Sequence, residues 1–426
     1  MSTDGTTMHD LITRLYPICR SITGDGVRET LRLVQEQIPI EVHEVPSGTK
    51  VFDWTVPKEW NIRDAWIKNS AGERLIDFRK LNLHVVSYSS PIRRKMELAE
   101  LKDHLVTLPA HPDWVPYRTN YYEENWAFCL SEKQLQALHE DEEYDVCIDS
   151  SLEDGHLTYG ELLLKGEQAE EVLISCHICH PSLANDNLSG LAVAVELAKD
   201  LSQAERRYSY RFLFIPGTIG SITWLARNEY VVARIRHGLV LTCVGDAGNI
   251  TYKRSRRGNA EIDRAVAHVL KESGESHQVI DFFPYGYDER QYCSPGFNLP
   301  VGCFMRSRHG EFPEYHASGD DLAFVRPEAL ADSLAKLKLV IDVLENNRFY
   351  LNQQPKGEPQ LGKRGLYAGS EKGEERRLRD LALLWVLNFC DGEHSLLDIA
   401  ERAELPFAAI KEAAASLAAT DLLVAK

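Results

Sequence analysis

Residues 175–190 read S-C-H-I-C-H-P-S-L-A-N-D-N-L-S-G, and this stretch decides the fold. It overlaps the end of an apolar run, Val172–Ser175, that predicts a buried strand, and it leads into the helical pattern of Leu188–Leu201. His177 stands at the strand end, and Asp186 follows nine residues later. An imidazole and a carboxylate that project from one sheet edge are suitable ligands for a metal such as zinc. The stretch therefore predicts a metal site at a strand end.

The chain beyond residue 160 alternates between strand and helix patterns. The apolar strand candidates are Val172–Ser175, Tyr210–Ile215, Leu239–Val244, Gln278–Phe283 and Pro300–Met305. The helical stretches between and after them are Leu188–Leu201, Ile222–Arg236, Ala260–Glu272 and Pro327–Glu345. Such alternation predicts an α/β sheet with helices on its faces, in which active residues gather at the carboxyl ends of the strands.

Polar residues follow the later strands of this predicted sheet. Asp246 ends the run LVLTCVGD, the cluster 288–290 (Asp-Glu-Arg) follows FFPYGY, and His316 lies in PEYHASGDD after the strand CFM. One carboxylate or imidazole at the end of each successive strand is what a cocatalytic metal site requires. Asp246 and His316 therefore join the candidate ligands.

Each candidate ligand also has a purely structural interpretation. His177 could be a hydrogen-bonded histidine at a strand end, and Asp186 could cap the following helix, since Asp is a favoured cap. Asp246 could form an Asx turn. His180 could bind the metal or donate to a ligand, although a histidine before a proline in a loop is more often structural.

The stretch 175–190 resembles the zinc-dependent aminopeptidase superfamily, whose strand-end His is followed by a GA-x-DN-x-SG motif. Residues 186–190, D-N-L-S-G, match the second element. The resemblance implies that His177 binds one zinc and that Asp186 bridges two. It further assigns the family's later Asp ligand to Asp246 and its final His, found in a YHTxxD context, to His316.

Residues 288–302 resemble the substrate-pocket loop of the same family. This resemblance makes Asp288, Arg290 and Tyr292 candidates for substrate binding. Arg290 could hold a substrate carboxylate through two parallel hydrogen bonds. A structural ion pair is the alternative for this arginine.

The whole chain resembles a narrower set of bacterial aminopeptidase-like proteins, often encoded beside polysaccharide or secondary-metabolite genes. Its marks are CHPSLANDNLSG, DWTVPKEW at 53–60 and YRTNYY at 117–122. The resemblance implies an α/β fold, an aminopeptidase-like mixed sheet flanked by helices, with an inserted β-rich lobe and a C-terminal winged-helix module. The expected boundaries are 1–44 with 151–350 for the catalytic domain, 45–150 for the insertion, 351–374 for a linker and 375–426 for the winged helix.

This sequence departs from the family's pattern at one functional position. Active members carry an adjacent Glu-Glu pair, one carboxylate as general base and one as zinc ligand, whereas the equivalent strand end reads I-P-G-T-I-G-S at 215–221. We therefore expect one zinc, held by His177, Asp186 and His316 with Asp246 as a fourth ligand; two zinc ions are the alternative. Glu289 and Glu314 lie near the motifs in sequence and are the candidate catalytic carboxylates.

These features predict a metal-dependent hydrolase that cleaves an amide bond in a small peptide or an amino-acyl conjugate. The alternative is a zinc-stabilised binding or scaffold protein that has lost peptidase chemistry and docks a partner through its winged helix. A ligand-sensing transcriptional regulator is a third hypothesis.

Composition and charge limit the classes of partner that the protein is expected to bind. The 426 residues carry a net charge of −16, which repels nucleic-acid phosphates and anionic membranes. The second helix of the predicted winged helix, 408–419, has one Lys and no Arg, so it predicts a protein-docking contact, including one between copies of the chain, rather than DNA binding. The nine cysteines suit free thiols, and the N-terminus lacks a signal-peptide pattern, so a cytoplasmic location is expected.

Overall fold

A computed structural model describes residues 5–367 and 373–426 of the chain. Within these residues the helices are α1 (Gly5–Leu15), α2 (Asp25–Gln35), α3 (Leu98–Leu101), α4 (Glu132–Gln136), α5 (Gly190–Ser202), α6 (Ile219–Arg227), α7 (Glu229–Val232), α8 (Glu261–Glu272), α9 (Glu289–Tyr292), α10 (Pro327–Asn346), α11 (Glu374–Phe389), α12 (Leu396–Ala403) and α13 (Phe407–Ala418).

The strands are distributed along the whole of the described chain. They are β1 (Glu41–Pro46), β2 (Lys50–Val51), β3 (Trp54–Thr55), β4 (Glu59–Lys68), β5 (Arg74–Asp77), β6 (Ile92–Glu97), β7 (Leu105–Val106), β8 (Phe128–Cys129), β9 (Glu143–Glu153), β10 (His156–Leu164), β11 (Glu171–His177), β12 (Ser209–Ile215), β13 (Ile235–Leu241), β14 (Ile250–Lys253), β15 (His277–Ile280), β16 (Val301–Met305), β17 (Phe349–Asn352), β18 (Asp391–Ser395) and β19 (Leu423–Ala425). The chain divides into two compact units, residues 1–263 with 276–335 and residues 264–275 with 336–426.

The larger unit is built on an eight-stranded mixed sheet in the order β1-β10-β12-β11-β13-β16-β14-β15. Its central strands β12, β11, β13 and β16 run parallel to one another. The pairs β1-β10, β10-β12 and β14-β16 are antiparallel, and β14 pairs parallel with the edge strand β15. Every residue of β11 and β12 is buried, as expected for central strands covered on both faces. The predicted α/β mixed sheet flanked by helices is confirmed.

An antiparallel sheet in the order β5-β4-β9-β6 forms between residues 59 and 153. Its buried face carries Trp60, Ile67, Tyr144 and Ile148. The long strands β4 and β9 pair along almost their whole length, which fixes the register of this sheet. Most of this sheet therefore lies in the segment predicted as an inserted β-rich lobe.

One local prediction needs correction, and one strand is not predicted from the sequence. The stretch Ile222–Arg236 is not one helix, because Asn228 leaves helical geometry after α6 and its side chain donates to the carbonyl of Trp224 at 2.9 Å. The chain then forms α7 and enters β13 at Ile235. In addition, no strand is predicted at β14, which has only four residues and pairs with β16.

The smaller unit holds α11, α12, α13 and the three-stranded sheet β18-β17-β19. The first residues of the predicted linker, Leu351 and Asn352, belong to β17 and pair with β19. Residues 368–372 of that linker lie outside the described residues. The single lysine of α13, Lys411, pairs with Asp342 at 2.6 Å. Among the helices of the described residues, none is both long enough and apolar enough to cross a bilayer.

Candidate metal centre and cavity

The candidate centre is built where β11 ends and a distorted turn, Ala184–Ser189, leads into α5. The Nε2 atom of His177 lies 2.8 Å from Oδ1 of Asp186. The Nε2 atom of His180 lies 4.0 Å from Oδ2 of the same carboxylate. Ligand atoms of His177, His180 and Asp186 all lie within 4.8 Å of one another, which suits a single metal ion. All three residues are buried.

His316 reaches the Asp186 carboxylate of this cluster from a distant loop. Its Nε2 atom lies 3.1 Å from Oδ2 of Asp186. Despite this distance, neither atom makes a hydrogen bond of acceptable geometry within the described part of the chain, and both are shielded from solvent. A buried carboxylate oxygen and a buried imidazole nitrogen left without hydrogen bonds need an explanation, and a shared ligand supplies one. Three imidazoles and one carboxylate form a donor set that zinc prefers.

The backbone around Asp186 is held from two sides. The Asp320 carboxylate accepts hydrogen bonds from the backbone N–H groups of Asn185 at 2.6 Å and Asp186 at 2.9 Å. The side chain of Asn187 donates to the carbonyl of Leu241 at 2.9 Å and accepts from the N–H of Gly190 at 3.2 Å. These bonds tie the turn to the end of β13 and cap α5, so the Asp186 side chain is free to face the imidazoles.

The electrostatics of the cluster favour the ligand-ready protonation states. Burial lowers the pKa of His180 well below its ordinary value, which keeps its imidazole neutral. Burial opposes ionisation of Asp186, but His180, His177 and His316 together hold the pKa of that carboxyl well below its usual range. A neutral imidazole beside an ionised carboxylate is the state in which both bind a metal.

Residues 115–117 support the loop that carries His316. The N–H of Tyr117 donates to the carbonyl of His316 at 2.7 Å, and Ser318 exchanges hydrogen bonds with the backbone of Val115 at 2.8 and 2.9 Å. His316 has a φ of 55°, an uncommon conformation for a residue with a side chain. We infer that these bonds stabilise this conformation.

A cavity of about 380 Å³ lies over the cluster. Its lining residues come from the segment 117–121, the loop after β11, the end of β12, the segment before α9, α9 itself and the loop after β16: Tyr117, Arg118, Thr119, Tyr121, His180, Gly217, Thr218, Tyr287, Arg290 and His316. The Tyr287 ring lies 3.9 Å from the His177 ring, centroid to centroid. Its hydroxyl lies 3.3 Å from Cys179 Sγ and donates to the Gly217 carbonyl at 3.4 Å.

The structure does not bring Asp246 into the cluster. Its two carboxylate oxygens accept hydrogen bonds from Asn185, Gly248 and Ser307, the side chains of Asn185 and Ser307 donating at 2.8 and 2.7 Å. These bonds occupy the carboxylate in a buried loop. The bond from the backbone of Gly248 matches the Asx-turn alternative.

The predicted catalytic carboxylates also lie outside the cavity lining. Glu289 is fully buried, forms an ion pair with Lys253 and accepts the N–H of Tyr287 at 3.0 Å. Glu314 is half-buried, and its backbone carbonyl accepts from the N–H of Ala317 at 3.1 Å. The carboxylate of Glu289 is thus occupied by the Lys253 ammonium group and the Tyr287 N–H group.

Of the three predicted substrate-binding residues, Arg290 lines the cavity and the other two do not. Tyr292 is fully buried, with its hydroxyl 3.0 Å from Ser175 Oγ. Asp288 is also fully buried and accepts a hydrogen bond from Ser221 at 2.8 Å. Burial raises the pKa of Asp288 to about 6.

Several residues of this site were not singled out as central by the sequence. His180 was left open between a ligand and a structural residue, and its place in the cluster depends on the course of the loop after β11. Arg20 is fully buried and donates from Nε to the carbonyl of His180 at 3.0 Å and from Nη1 to that of Leu15 at 2.6 Å. Tyr287 precedes the predicted pocket loop by one residue, and no spacing pattern marks it.

Comparison with known proteins agrees with this architecture. The family described as "Domain of unknown function (DUF4910)" matches residues 9–347, and a winged helix-turn-helix family matches residues 348–425. The second match confirms the predicted C-terminal winged helix. A Clostridium acetobutylicum protein called "Putative polysaccharide biosynthesis protein with aminopeptidase-like domain" is 54% identical over 422 residues, covering 99% of this chain and 97% of that protein.

Comparison with solved structures shows the same fold. The crystal structure called "putative peptidase" from Clostridium acetobutylicum superposes with a TM-score of 0.94 at 53% identity, covering 99% of this chain and 96% of that one. A zinc aminopeptidase from Bacillus subtilis has the same core fold, with a TM-score of 0.55 at 15% identity over 80% of this chain and 94% of that one. These matches confirm the resemblance to zinc aminopeptidases as one of fold. The chain therefore belongs to the DUF4910 family, with an aminopeptidase-like fold followed by a winged helix.

Proposed function

We propose that this protein is a metal-dependent hydrolase that cleaves an amide bond and uses zinc. The observation that carries the proposal is the pair of buried atoms, Asp186 Oδ2 and His316 Nε2, which lie 3.1 Å apart without a hydrogen bond of acceptable geometry. Together with His177 and His180 they form the donor set of a four-ligand site beneath a cavity. A single zinc is the form that this donor set supports best.

Zinc, when bound, supplies Lewis-acid polarisation of a substrate carbonyl. His177, His180, Asp186 and His316 would hold it. Asp246 is left out of this set because its oxygens already accept hydrogen bonds from Asn185, Gly248 and Ser307.

The cavity residues have separate roles in this proposal. The rings of Tyr117 and Tyr287 pack against the imidazoles, with centroids 5.0 Å from His180 and 3.9 Å from His177, and keep water from their outer faces. Thr218 provides a hydroxyl on the cavity wall that can orient a carbonyl. Neither Glu289 nor Glu314 is given the proton-transfer step, because neither lines the cavity.

We infer the substrate class from two facts. The cavity of about 380 Å³ suits a small molecule rather than a folded protein. The relative's name places that protein in polysaccharide biosynthesis and gives it an aminopeptidase-like domain. An amino-acyl conjugate of a sugar, or a small peptide, is therefore the substrate class we propose.

The test is turnover by the purified full chain on a panel of peptides and aminoacyl-sugar amides, with metal content measured on the same samples. Near one equivalent of zinc, activity lost to a chelator and activity restored by zinc would support the proposal. Amide cleavage that persists at full rate in the zinc-free protein would overturn it.

A second candidate function is a zinc-stabilised binding protein that docks partners through its winged helix. It is favoured by one observation: no carboxylate lines the cavity among the described residues, whereas an aminopeptidase needs one as its general base. Zinc binding that raises thermal stability without turnover on any amide of the panel would support this candidate over the hydrolase.

A further inference from the structure

We propose that the cavity over the metal cluster binds a substrate through an anionic group, held by Arg118 and Arg290, and that it has no subsite for a free amino terminus. This proposal rests on the hydrolase function proposed above and specifies its substrate. It reverses the polarity expected for an aminopeptidase, which must hold the ammonium group of its substrate.

The two arginines come from different parts of the chain to one cavity. Arg118 follows the buried Tyr117 in the segment between β7 and β8, and Arg290 lies in the short helix α9. Both line the cavity and both are exposed to solvent. The two guanidinium groups therefore give the lining of the cavity a positive charge.

Neither guanidinium forms a hydrogen bond or ion pair with a carboxylate among the described residues, although the charge of Arg290 acts on the buried carboxyl of Asp288. Across residues 5–367 and 373–426, the side chain of Arg290 makes no hydrogen bond or ion pair, and that of Arg118 donates only to the carbonyl of Tyr117 at 2.8 Å. In a chain with 64 acidic residues against 48 basic ones, two exposed arginines in one cavity without an ion-paired carboxylate are unexpected. A planar guanidinium with free N–H groups is suited to bidentate recognition of a carboxylate or phosphate.

The other residues that line the cavity also favour an anionic group over an ammonium group. Apart from these arginines it consists of aromatic, hydroxyl, imidazole and glycine residues, and it contains no Asp or Glu among the described residues. At Gly217 and Thr218 the sequence lacks the Glu-Glu pair that the aminopeptidase resemblance leads one to expect. The Asp186 carboxylate lies beneath the cavity and is buried against His177 at 2.8 Å. A substrate ammonium would therefore meet two positive charges and no accessible negative one.

The experiment measures binding by calorimetry with three matched probes and the zinc-loaded full chain. N-acetylglycylglycine carries one carboxylate, its C-terminal amide is neutral, and glycylglycinamide carries one ammonium. We expect the carboxylate probe to bind at least about tenfold more tightly than its amide, with the ammonium probe weakest. The same titrations are run with Arg118→Gln, with Arg290→Gln and with the double variant.

The variants separate the arginines from the metal as the source of anion binding. Each single change should reduce the carboxylate preference at least about threefold, and the double change should abolish it. Arg236→Gln is the control, since Arg236 is an exposed arginine on β13 outside the cavity. A carboxylate preference that survives in the double variant, or tighter binding of the ammonium probe, would overturn the proposal.

Failure of the hydrolase function has a different signature. A carboxylate preference that depends on the arginines, without turnover on any amide, would support the anion site and contradict the proposed hydrolase function. The opposite result is zinc-dependent amide turnover that is fastest for substrates with a free amino terminus and is unchanged by substitution of either arginine. It would support the hydrolase function and contradict the anion site.

Discussion

The ring of Tyr287 occupies the space that any side chain on Gly217 would need. A Cβ atom built on Gly217 would come within 1.9 Å of Cε1 of Tyr287. The tyrosine is fixed there by its 3.9 Å ring contact with His177 and by its hydroxyl, which donates to the Gly217 carbonyl at 3.4 Å. The aminopeptidase resemblance leads one to expect a carboxylate pair at this strand end. The missing carboxylates are therefore accompanied by a tyrosine that fills the space beside the cluster.

We predict that Gly217→Ala destabilises the protein by about 1–3 kcal/mol, the usual cost of overpacking a filled site. Chemical denaturation measures the free energy of unfolding. Combining Gly217→Ala with Tyr287→Ala should cost less than the sum of the two single changes, because the ring that clashes is gone. Gly296→Ala is the matched control, since a Cβ there meets nothing within 4 Å. Strict additivity of the two changes would show that the residues do not compete for space.

The sequence predicts the central strands well, because β11 and β12 are buried at every position and so read as continuous apolar runs. It does less well at strand ends. The predicted strand Leu239–Val244 places Asp246 two residues beyond its end, whereas β13 ends at Leu241. Asp246 therefore falls further into the loop, where Ser307 and Gly248 satisfy its oxygens.

Contacts between distant parts of the chain explain the rest of what the sequence could not predict. Arg20 reaches the His180 loop across 160 residues, and Tyr287 meets His177 across more than a hundred. No periodicity or motif spacing encodes such pairs, because they depend on how the sheet brings its loops together. The motif D-N-L-S-G, by contrast, is local, and the turn and helix that it predicts form within a few residues of it.

We predict that His180→Ala weakens zinc binding by about 100-fold or more, since even outer-shell partners of a metal are worth about 10- to 100-fold. The physical reason is the loss of one of the three clustered donor groups, His177, His180 and Asp186. Competition with a chromophoric chelator measures the affinity. His84→Ala is the control, because His84 is a buried histidine whose Nδ1 bonds the Cys129 carbonyl at 2.8 Å instead. A zinc affinity within twofold of wild type in His180→Ala would remove this histidine from the ligand set.

Arg20 is expected to act as a positioning residue for the same loop. Its guanidinium bridges the carbonyls of Leu15 and His180, and a lysine cannot span both. We predict that Arg20→Lys weakens zinc binding about tenfold and lowers the free energy of unfolding by about 1–3 kcal/mol. Arg14→Lys, an exposed arginine paired with Glu36, should change neither quantity. If Arg20→Lys loses stability with zinc affinity unchanged, the arginine supports the fold without positioning His180.

The last prediction concerns acid stability and His237, a buried residue of β13. Neither ring nitrogen has a hydrogen-bond partner among the described residues, and its ring contacts Tyr208 edge-on at 5.1 Å. Burial lowers the pKa of His237 to about 3, with the positive charges of Arg207 and Arg236 acting in the same direction. The folded protein thus keeps this imidazole neutral where an unfolded chain, with a histidine pKa of about 6.5, takes up a proton.

Between these two pKa values the unfolded state binds the extra proton, so acidification favours unfolding. The contribution of His237 to stability is complete above about pH 6.5 and is lost as the pH falls towards 3, by up to about 1.4 kcal/mol per pH unit. We therefore expect His237→Phe to flatten the decline of the free energy of unfolding across this window, measured by denaturation with a chelator present so that the metal-site histidines carry no zinc. The same substitution at exposed His139 should leave the slope unchanged. A slope that is identical in wild type and His237→Phe would mean that His237 takes up its proton in the folded protein as readily as in the unfolded chain.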